Sequence, residues 1–378
     1  TFLIGQLVED IKKINNNIYL CTPTHKAKQV LYEKCNRKFK AETIHSFLKL
    51  KMVHDFEGGY TLEPQQNANI PKNCIVIVDE ASMIGEREWE YINEQESIIW
   101  LFVGDPAQLP PVNQDFCPVM DNPIICLSEI VRQVKDNPII KLSEKVRNSE
   151  PYLFESDNIK IINNRKEFLD EAIISFNESR KLDHTRILAY RNIVVNKYNE
   201  YIRKKLYGSK TDRFVVGERL VAKESWVEPM SQEYVIINSE EFIVEDVKLD
   251  TKIIEDESWK YWLLKIFTSD NKRREIDVLH EDEHIRYRKQ LNIYKSLAKK
   301  EDRINWKYYY DLLESFAVVD YAYAMTVHKS QGSTFDKVFV DHEDLRRCKK
   351  KERKALIYVA VTRPSKELFL FERNLTNE

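Results

Sequence analysis

Four consecutive β-branched residues, Ile75 to Val78, run into the acidic pair Asp79-Glu80, and similar short apolar blocks occur at Ile18 to Cys21 and Ile98 to Val103. Runs this short, without polar alternation, suit strands covered on both faces, as in a parallel sheet. Helical spacing lies between them, beginning with Thr1 to Ile11, which reads as an amphipathic helix already under way. Over residues 1–150 this rhythm predicts a doubly wound α/β unit. Blocks at Ile187 to Ala189, Val338 to Val340 and Leu368 to Phe371, with a helix through Tyr201, predict a second parallel sheet built from residues 151–211 and 313–378. Residues 212–312 have another texture. Val215 to Val221, Tyr234 to Ile237, Glu241 to Val247 and Tyr261 to Phe267 read as short strands between turns, which predicts a small inserted β-barrel followed by helices.

Composition narrows the class. The 378 residues suffice for two or three cores, and no apolar run approaches the ~20 residues of a membrane span. A soluble cytoplasmic protein, in the host cytoplasm if viral, is the expectation. Six cysteines form no CxxC pair, and Cys21 and Cys74 lie in or beside apolar strands, so reduced core thiols are expected. A formal charge of −2 gives no global sign of a polyanion partner. Local charge does: His284 to Tyr310 holds eight Lys or Arg against only Glu301 and Asp302. Tyr287, Leu291, Tyr294 and Leu297 recur there at helical spacing, so one face should pack. The basic face is either solvated or a contact for single-stranded DNA.

A DE pair at the end of a buried strand suits nucleotide chemistry, because one carboxylate can hold Mg²⁺ and the next can orient the attacking water. Its companions give it weight. Gly104-Asp105-Pro106-Ala107-Gln108-Leu109-Pro110-Pro111 turns sharply after the third strand, and with DEAS upstream it resembles motif III of superfamily 1 helicases. Cys21-Thr22-Pro23-Thr24-His25-Lys26-Ala27 resembles motif Ia, Thr43-Ile44-His45-Ser46 motif Ib, Asp79-Glu80-Ala81-Ser82 motif II, and Glu129-Ile130-Val131-Arg132-Gln133 motif IV. Thr326 to Thr334, TVHKSQGST, resembles motif V, and Tyr358 to Arg363, YVAVTR, motif VI. These strings, in the family's order across almost the whole chain, are most similar to the superfamily 1B group of RecD, Dda and Pif1, and within it to the Dda-like helicases.

The resemblance implies two RecA-like domains, the second carrying an SH3-like barrel, and a monomeric motor that moves 5′ to 3′ on single-stranded DNA and opens the fork duplex, with replication or recombination proteins as partners. ATP and Mg²⁺ are the implied cofactors. Asp79 and Thr1 would serve the metal, Glu80 the attacking water, and Gln108, Arg132, Gln331, Gly332 and Arg363 the phosphates and their coupling to the strand. Pro23, Thr24, His25, His45, Ser46, Thr326, His328 and Lys329 would meet the DNA backbone; each histidine is equally readable as a structural group. Residues 49–71 hold a hairpin signal around Gly58-Gly59. In Dda-like helicases an insertion here is the pin that splits the duplex, which makes Phe56 and Tyr60 candidates to stack on the parting base pair; a plain surface hairpin is the other reading. The family's phosphate loop, GxxxxGK[ST], does not occur in the sequence. The chain is accordingly expected to be a fragment that starts just past it, with Thr1 at the edge of that loop. Two alternatives stand beside the DNA motor: the same engine on RNA, and an ATP-independent nucleic-acid-binding scaffold if Thr1 is the native start.

Overall fold

The computed structural model describes residues 2–35, 39, 41–54, 60–65, 68–111, 114, 117–121, 123–127, 137–179, 181–209, 212–228, 234–268, 270–299 and 303–373. Thr1, Phe56 and the whole Glu129-to-Gln133 string, including Arg132, fall outside these residues, as does the side chain of Tyr60.

The first sheet is parallel, with strands in the order Ala41–Thr43, Ile18–Thr22, Cys74–Val78, Ile98–Phe102. Alternation along Cys74–Val78 splits its side chains between two cores. Val76 and Val78 pack with Ile44, Phe47 and Ile92 on one face, and Ile77 packs with Leu20, Leu31, Ile4 and Val8 on the other. Ile4 and Val8 are one helical turn apart in the helix Phe2–Lys12, so burying both fixes that helix on the sheet. The double cover explains why this strand reads as an unbroken apolar run.

A second parallel sheet has the order Ala324–Thr326, Thr185–Ala189, Phe335–Asp341, Pro364–Phe371, Ile159–Ile162. Phe168, Phe339, Phe369 and Phe371 lie in one of its cores, and Val338, Val340, Leu368 and Leu370 in the opposite one. The second core also takes Leu142 and Val146 from the helix Pro138–Asn148. That helix therefore packs with the second sheet, although it precedes the expected boundary at residue 150.

Between these parts lies an antiparallel sheet in the order Arg273–Leu279, Glu257–Thr268, Glu241–Ile254, Arg219–Ala222, Val319–Tyr321. Its central hairpin turns at Glu255 and Asp256, both with positive φ, a backbone that brings right-twisted strands together tightly. Where a closed barrel was expected, the described strands form an open sheet plus the separate pair Trp226–Val227 and Tyr234–Ile236. Trp226 and Ile236 enter the sheet's core, so burial rather than hydrogen-bond closure joins the two pieces. The basic segment forms helices His284–Ala298 and Arg303–Leu313. Tyr287, Leu291 and Tyr294 pack around Trp259 and Phe316 as the spacing implied, but Leu297 is exposed. The hairpin expected near Gly58-Gly59 pairs Leu50–His54 with Tyr60–Pro64. All six cysteines are free and five are buried; Cys126 is exposed. Among the described residues no helix is long and apolar enough to cross a membrane.

Candidate functional site

Asp79 and Glu80 stand at the carboxyl end of Cys74–Val78, where the Asp79 N–H donates to the Cys21 carbonyl at 2.9 Å and the Glu80 N–H to Asp79 Oδ1 at 3.0 Å. Glu80 has φ 55° and ψ 37°, the left-handed region. A β-carbon makes that conformation costly, by roughly 1 kcal/mol or more, and surrounding contacts must hold it. Those contacts include Gly104. A Cβ built on Gly104 would lie 3.0 Å from the Ser82 nitrogen and 3.3 Å from the Ala81 nitrogen, so only glycine lets the loop after the third strand press against the backbone that follows Glu80.

The same loop reaches across to the second sheet. Asp105 Oδ1 accepts the Ala107 N–H at 3.0 Å, closing an Asx turn, and Asp105 Oδ2 accepts the hydroxyl of Tyr358 at 2.8 Å. Tyr358 belongs to the helix Lys350–Val361. Leu109 is buried among Val327, Tyr358 and Val361, in the core of the second sheet, and its carbonyl accepts Gln331 Nε2 at 3.3 Å. Gly332 follows with φ 72°, and a Cβ there would meet Ala27 Cβ at 3.4 Å. Residues of five separate motif strings are thus gathered: Ala27, the Asp79-Glu80 corner, the Gly104-to-Leu109 loop, Gln331-Gly332, and Tyr358.

Gln108 is buried, and its Oε1 accepts no hydrogen bond from the described residues. A buried acceptor without a donor is costly unless a ligand or water supplies one. With two carboxylates at the adjacent strand end, this donor set suits a polyphosphate carrying a hard cation, which needs few protein carboxylates. Among the described residues no cluster of three metal-ligating side chains occurs. Arg363 is also buried, but its Nε, Nη1 and Nη2 donate to Val359 O at 3.0 Å, Ser333 O at 3.1 Å and Thr362 Oγ1 at 2.9 Å.

The polar residues expected along the strand fall into two groups. Some hydroxyls are occupied locally: Thr24 caps the helix His25–Lys34 by accepting the Ala27 N–H at 3.2 Å, with Pro23 just before it. Thr326 is buried and accepts the Lys329 N–H at 3.4 Å, and Ser46 Oγ donates to Glu42 at 3.3 Å. The histidines are more available. His45 Nε2 pairs with Glu88 at 2.9 Å and His328 Nε2 with Glu352 at 2.7 Å. Surrounding protein, then Lys28 and His45, lower His25 to about 4, although part of its ring remains in solvent. Partial burial of the Lys329 stem, with Lys223 nearby, lowers its ammonium.

Sequence reasoning did not single out Asp105, Tyr358, Lys26, Glu88 or Glu352 as site residues. Asp105, Tyr358 and Lys26 stood inside recognised strings; nothing in the sequence marks the two glutamates, whose partners are 43 and 24 residues away.

Residues 1–166 match the family model described as an AAA domain, and residues 321–371 the model described as a UvrD-like helicase C-terminal domain. The chain is 28% identical to the uncharacterized protein R530 of Acanthamoeba polyphaga mimivirus, over 98% of this chain and 91% of that one. It is 26% identical to the ATP-dependent DNA helicase dda of Enterobacteria phage T4, over 93% of this chain and 87% of that one. Its fold is similar to that of a Pif1 helicase from Bacteroides solved with ADP-AlF3 and single-stranded DNA, at TM-score 0.50 and 15% identity, covering 95% and 83% of the two chains. A structure of two coordinating Pif1 helicases at forked duplex DNA gives TM-score 0.51 at 14% identity, covering 98% and 85%. An AAA-domain match at one end of the chain and a UvrD-like helicase match at the other, in the order that its motif strings follow, bring the two sheets and the joint between them under one description: the chain is similar to the Pif1/Dda-like helicases of superfamily 1B.

Proposed function

We propose that this chain is the motor core of a 5′ to 3′ DNA helicase, a monomer that couples Mg-ATP hydrolysis to separation of a forked duplex. The observation that carries this reading is the joint in which one loop touches the acidic corner through Gly104 and the opposite sheet through Asp105, Leu109 and their partners Tyr358 and Gln331. A loop held at both ends converts a change at the phosphates into a change between the two sheets.

When bound, Mg-ATP supplies the hydrolysable phosphoanhydride bond, and the remaining work belongs to side chains. Asp79 would hold the cation through water, and Glu80, fixed by its left-handed backbone, would orient the attacking water and accept its proton. Gln108 has an unbonded acceptor to offer that water and an amide for a phosphate oxygen. Arg363, oriented by its bonds to Val359, Ser333 and Thr362, would meet the same phosphate on cleft closure, as the resemblance implies. Arg132 and Thr1 would complete the arginine pair and the metal side as the resemblance implies. Pro23, Thr24, His25, His45, Ser46, Thr326, His328 and Lys329 would line the strand path, with the threonines acting chiefly by shaping helix termini. For the domains, we place the first RecA-like unit ahead of Pro138, since the helix Pro138–Asn148 packs in the second core, and the inserted unit at 212–312.

The test uses a protein carrying a GxxxxGK[ST] loop ahead of Thr1, with duplexes bearing a single-stranded tail at one end. A 5′ tail should be opened and a 3′ tail should not, and Glu80→Gln should bind nucleotide yet not turn it over. Replacing Phe56 and Tyr60 with Ala should impair strand separation far more than DNA-stimulated hydrolysis. Unwinding from 3′ tails alone would reverse the assigned direction, and near wild-type hydrolysis by the Glu80 variant would remove it as the base.

A further inference from the structure

The two halves of the molecule repeat one arrangement that the motif strings do not contain. His45 lies just past the carboxyl end of the parallel strand Ala41–Thr43, and its Nε2 is 2.9 Å from an oxygen of Glu88. His328 lies just past the carboxyl end of the parallel strand Ala324–Thr326, and its Nε2 is 2.7 Å from an oxygen of Glu352. Each glutamate sits in the first turn of a helix, Glu86–Asn93 and Lys350–Val361 respectively. There the unpaired N–H groups and the helix dipole favour a carboxylate. The hydrogen bond from His45 holds the Glu88 carboxyl below its usual range, with burial opposing. The side chains of His45 and His328 are 35% and 30% exposed, so each ring keeps an edge in solvent.

A carboxylate only accepts hydrogen bonds, so Nε2 must carry the proton in both pairs. The opposite atom, Nδ1, is then the one left for a ligand. A phosphate oxygen is also only an acceptor, and a neutral ring bound through Nε2–H presents to it a lone pair and not a donor. A ring between the two anions therefore satisfies both only as imidazolium.

We propose that Glu88 and Glu352 are positioning residues that hold His45 and His328 by Nε2, so that Nδ1–H of each ring meets a phosphate of the bound strand and the contact is made by the imidazolium form, with uptake of protons on binding. The inference rests on the reading of these histidines as strand contacts. Among the described residues, His25 on the helix His25–Lys34, itself beside Lys28, interacts with His45, and Glu42 holds the neighbouring Ser46. Beside His328 stand its neighbour Lys329, which interacts with Lys223 and Asp320, and the Tyr190 ring. Neutral at pH 7, His25 adds no competing titration there.

The test is binding of an oligothymidylate to the 378-residue chain, by fluorescence anisotropy across pH 6–8.5 and by calorimetry in two buffers of different ionisation enthalpy, which counts protons taken up. The wild type should bind more weakly as pH rises and should take up protons near pH 7.5. Glu88→Gln and Glu352→Gln should each lower the affinity about tenfold at pH 7, the scale of one charge-assisted hydrogen bond, and should reduce the proton uptake. His45→Ala and His328→Ala should remove the same uptake. If the histidine variants weaken binding but the glutamine variants leave affinity and proton uptake unchanged, the positioning role is overturned while the strand contacts stand. If neither histidine variant weakens binding, the strand-contact reading fails and the inference with it. Urea unfolding of each variant separates either result from loss of the fold.

Discussion

Glu241 is the residue whose removal should cost the fold most for its size. It lies at the start of the antiparallel strand Glu241–Ile254 and is 6% exposed. One carboxylate oxygen accepts from Arg186, which is 0% exposed on the interior strand Thr185–Ala189, and the other accepts from Lys26 at 3.1 Å, on the helix His25–Lys34. Arg219 is also buried and close enough for Arg186 to lower its pKa further, beyond the larger effect of burial. Glu241 is therefore the anion bonded by two cations from two parts of the chain, with Arg219 within reach of its charge. Burial works to raise its pKa, but Arg186 and then Lys26 overcome this and leave it below the usual carboxylate range. Its stabilisation should thus be present above the ordinary glutamate pKa and be lost as pH falls through the folded value. Glu241→Ala leaves a buried guanidinium without a counter-charge, a loss of about 3–5 kcal/mol. Among the described residues, Arg186 would retain the carbonyls of Leu182 and Ala322 and the face of the Phe335 ring. At about 2–4 °C per kcal/mol for a domain of some 200 residues, the melting temperature at pH 7 should fall by roughly 6–20 °C. Lys26 is 33% exposed, so Lys26→Met should cost under about 1 kcal/mol. A Glu241→Leu, Arg186→Met double variant should recover most of the loss, since it removes the buried guanidinium that Glu241 bonds directly. Thermal and urea unfolding of the four proteins measure this. A Glu241→Ala melting point within about 2 °C of wild type would refute the reasoning, as would equal losses for Glu241→Ala and Lys26→Met.

Two further outcomes concern the site and a third the inserted sheet. Gly104→Ala should abolish DNA-stimulated hydrolysis while leaving strand affinity within about threefold, because the added carbon must displace the backbone after Glu80 and touches nothing on the proposed strand path; unchanged hydrolysis would show that the close approach is dispensable. Tyr358→Phe should uncouple the halves, with basal hydrolysis kept and its stimulation by single-stranded DNA reduced, as read from paired ATPase assays. Burial lifts Glu218 to about 7 against the pull of Arg203, so its stabilising contribution is complete below the unfolded pKa near 4.5 and lost as pH rises through about 7. Glu218→Gln should therefore flatten the decline of melting temperature between pH 5 and 8.

The two parallel sheets were legible because a strand buried on both faces has no choice of side-chain chemistry: Ile75 to Val78 and Val338 to Val340 must be apolar wherever their neighbours lie. The acidic corner was legible for a related reason, since a polar pair directly after such a strand can only sit at its exit. The antiparallel region was read less well. Alternating side chains along Glu241–Ile254 specify a half-buried strand but not whether the sheet closes on itself, which depends on how edges such as Arg273–Leu279 and Trp226–Val227 meet. The helix Pro138–Asn148 shows the same limit, because an amphipathic helix states that it has a partner without stating which core supplies it. By itself the sequence determined the apolar strands at Ile18, Ile75, Ile98, Ile187, Val338 and Leu368, the motif strings and their order, all properties of short segments governed by local burial and backbone geometry. Tertiary structure alone decided that Asp105 bonds Tyr358, that Gly332 lies against Ala27, and that glutamates 43 and 24 residues away hold His45 and His328. Such pairings depend on packing between segments that carry no trace of one another in their spacing.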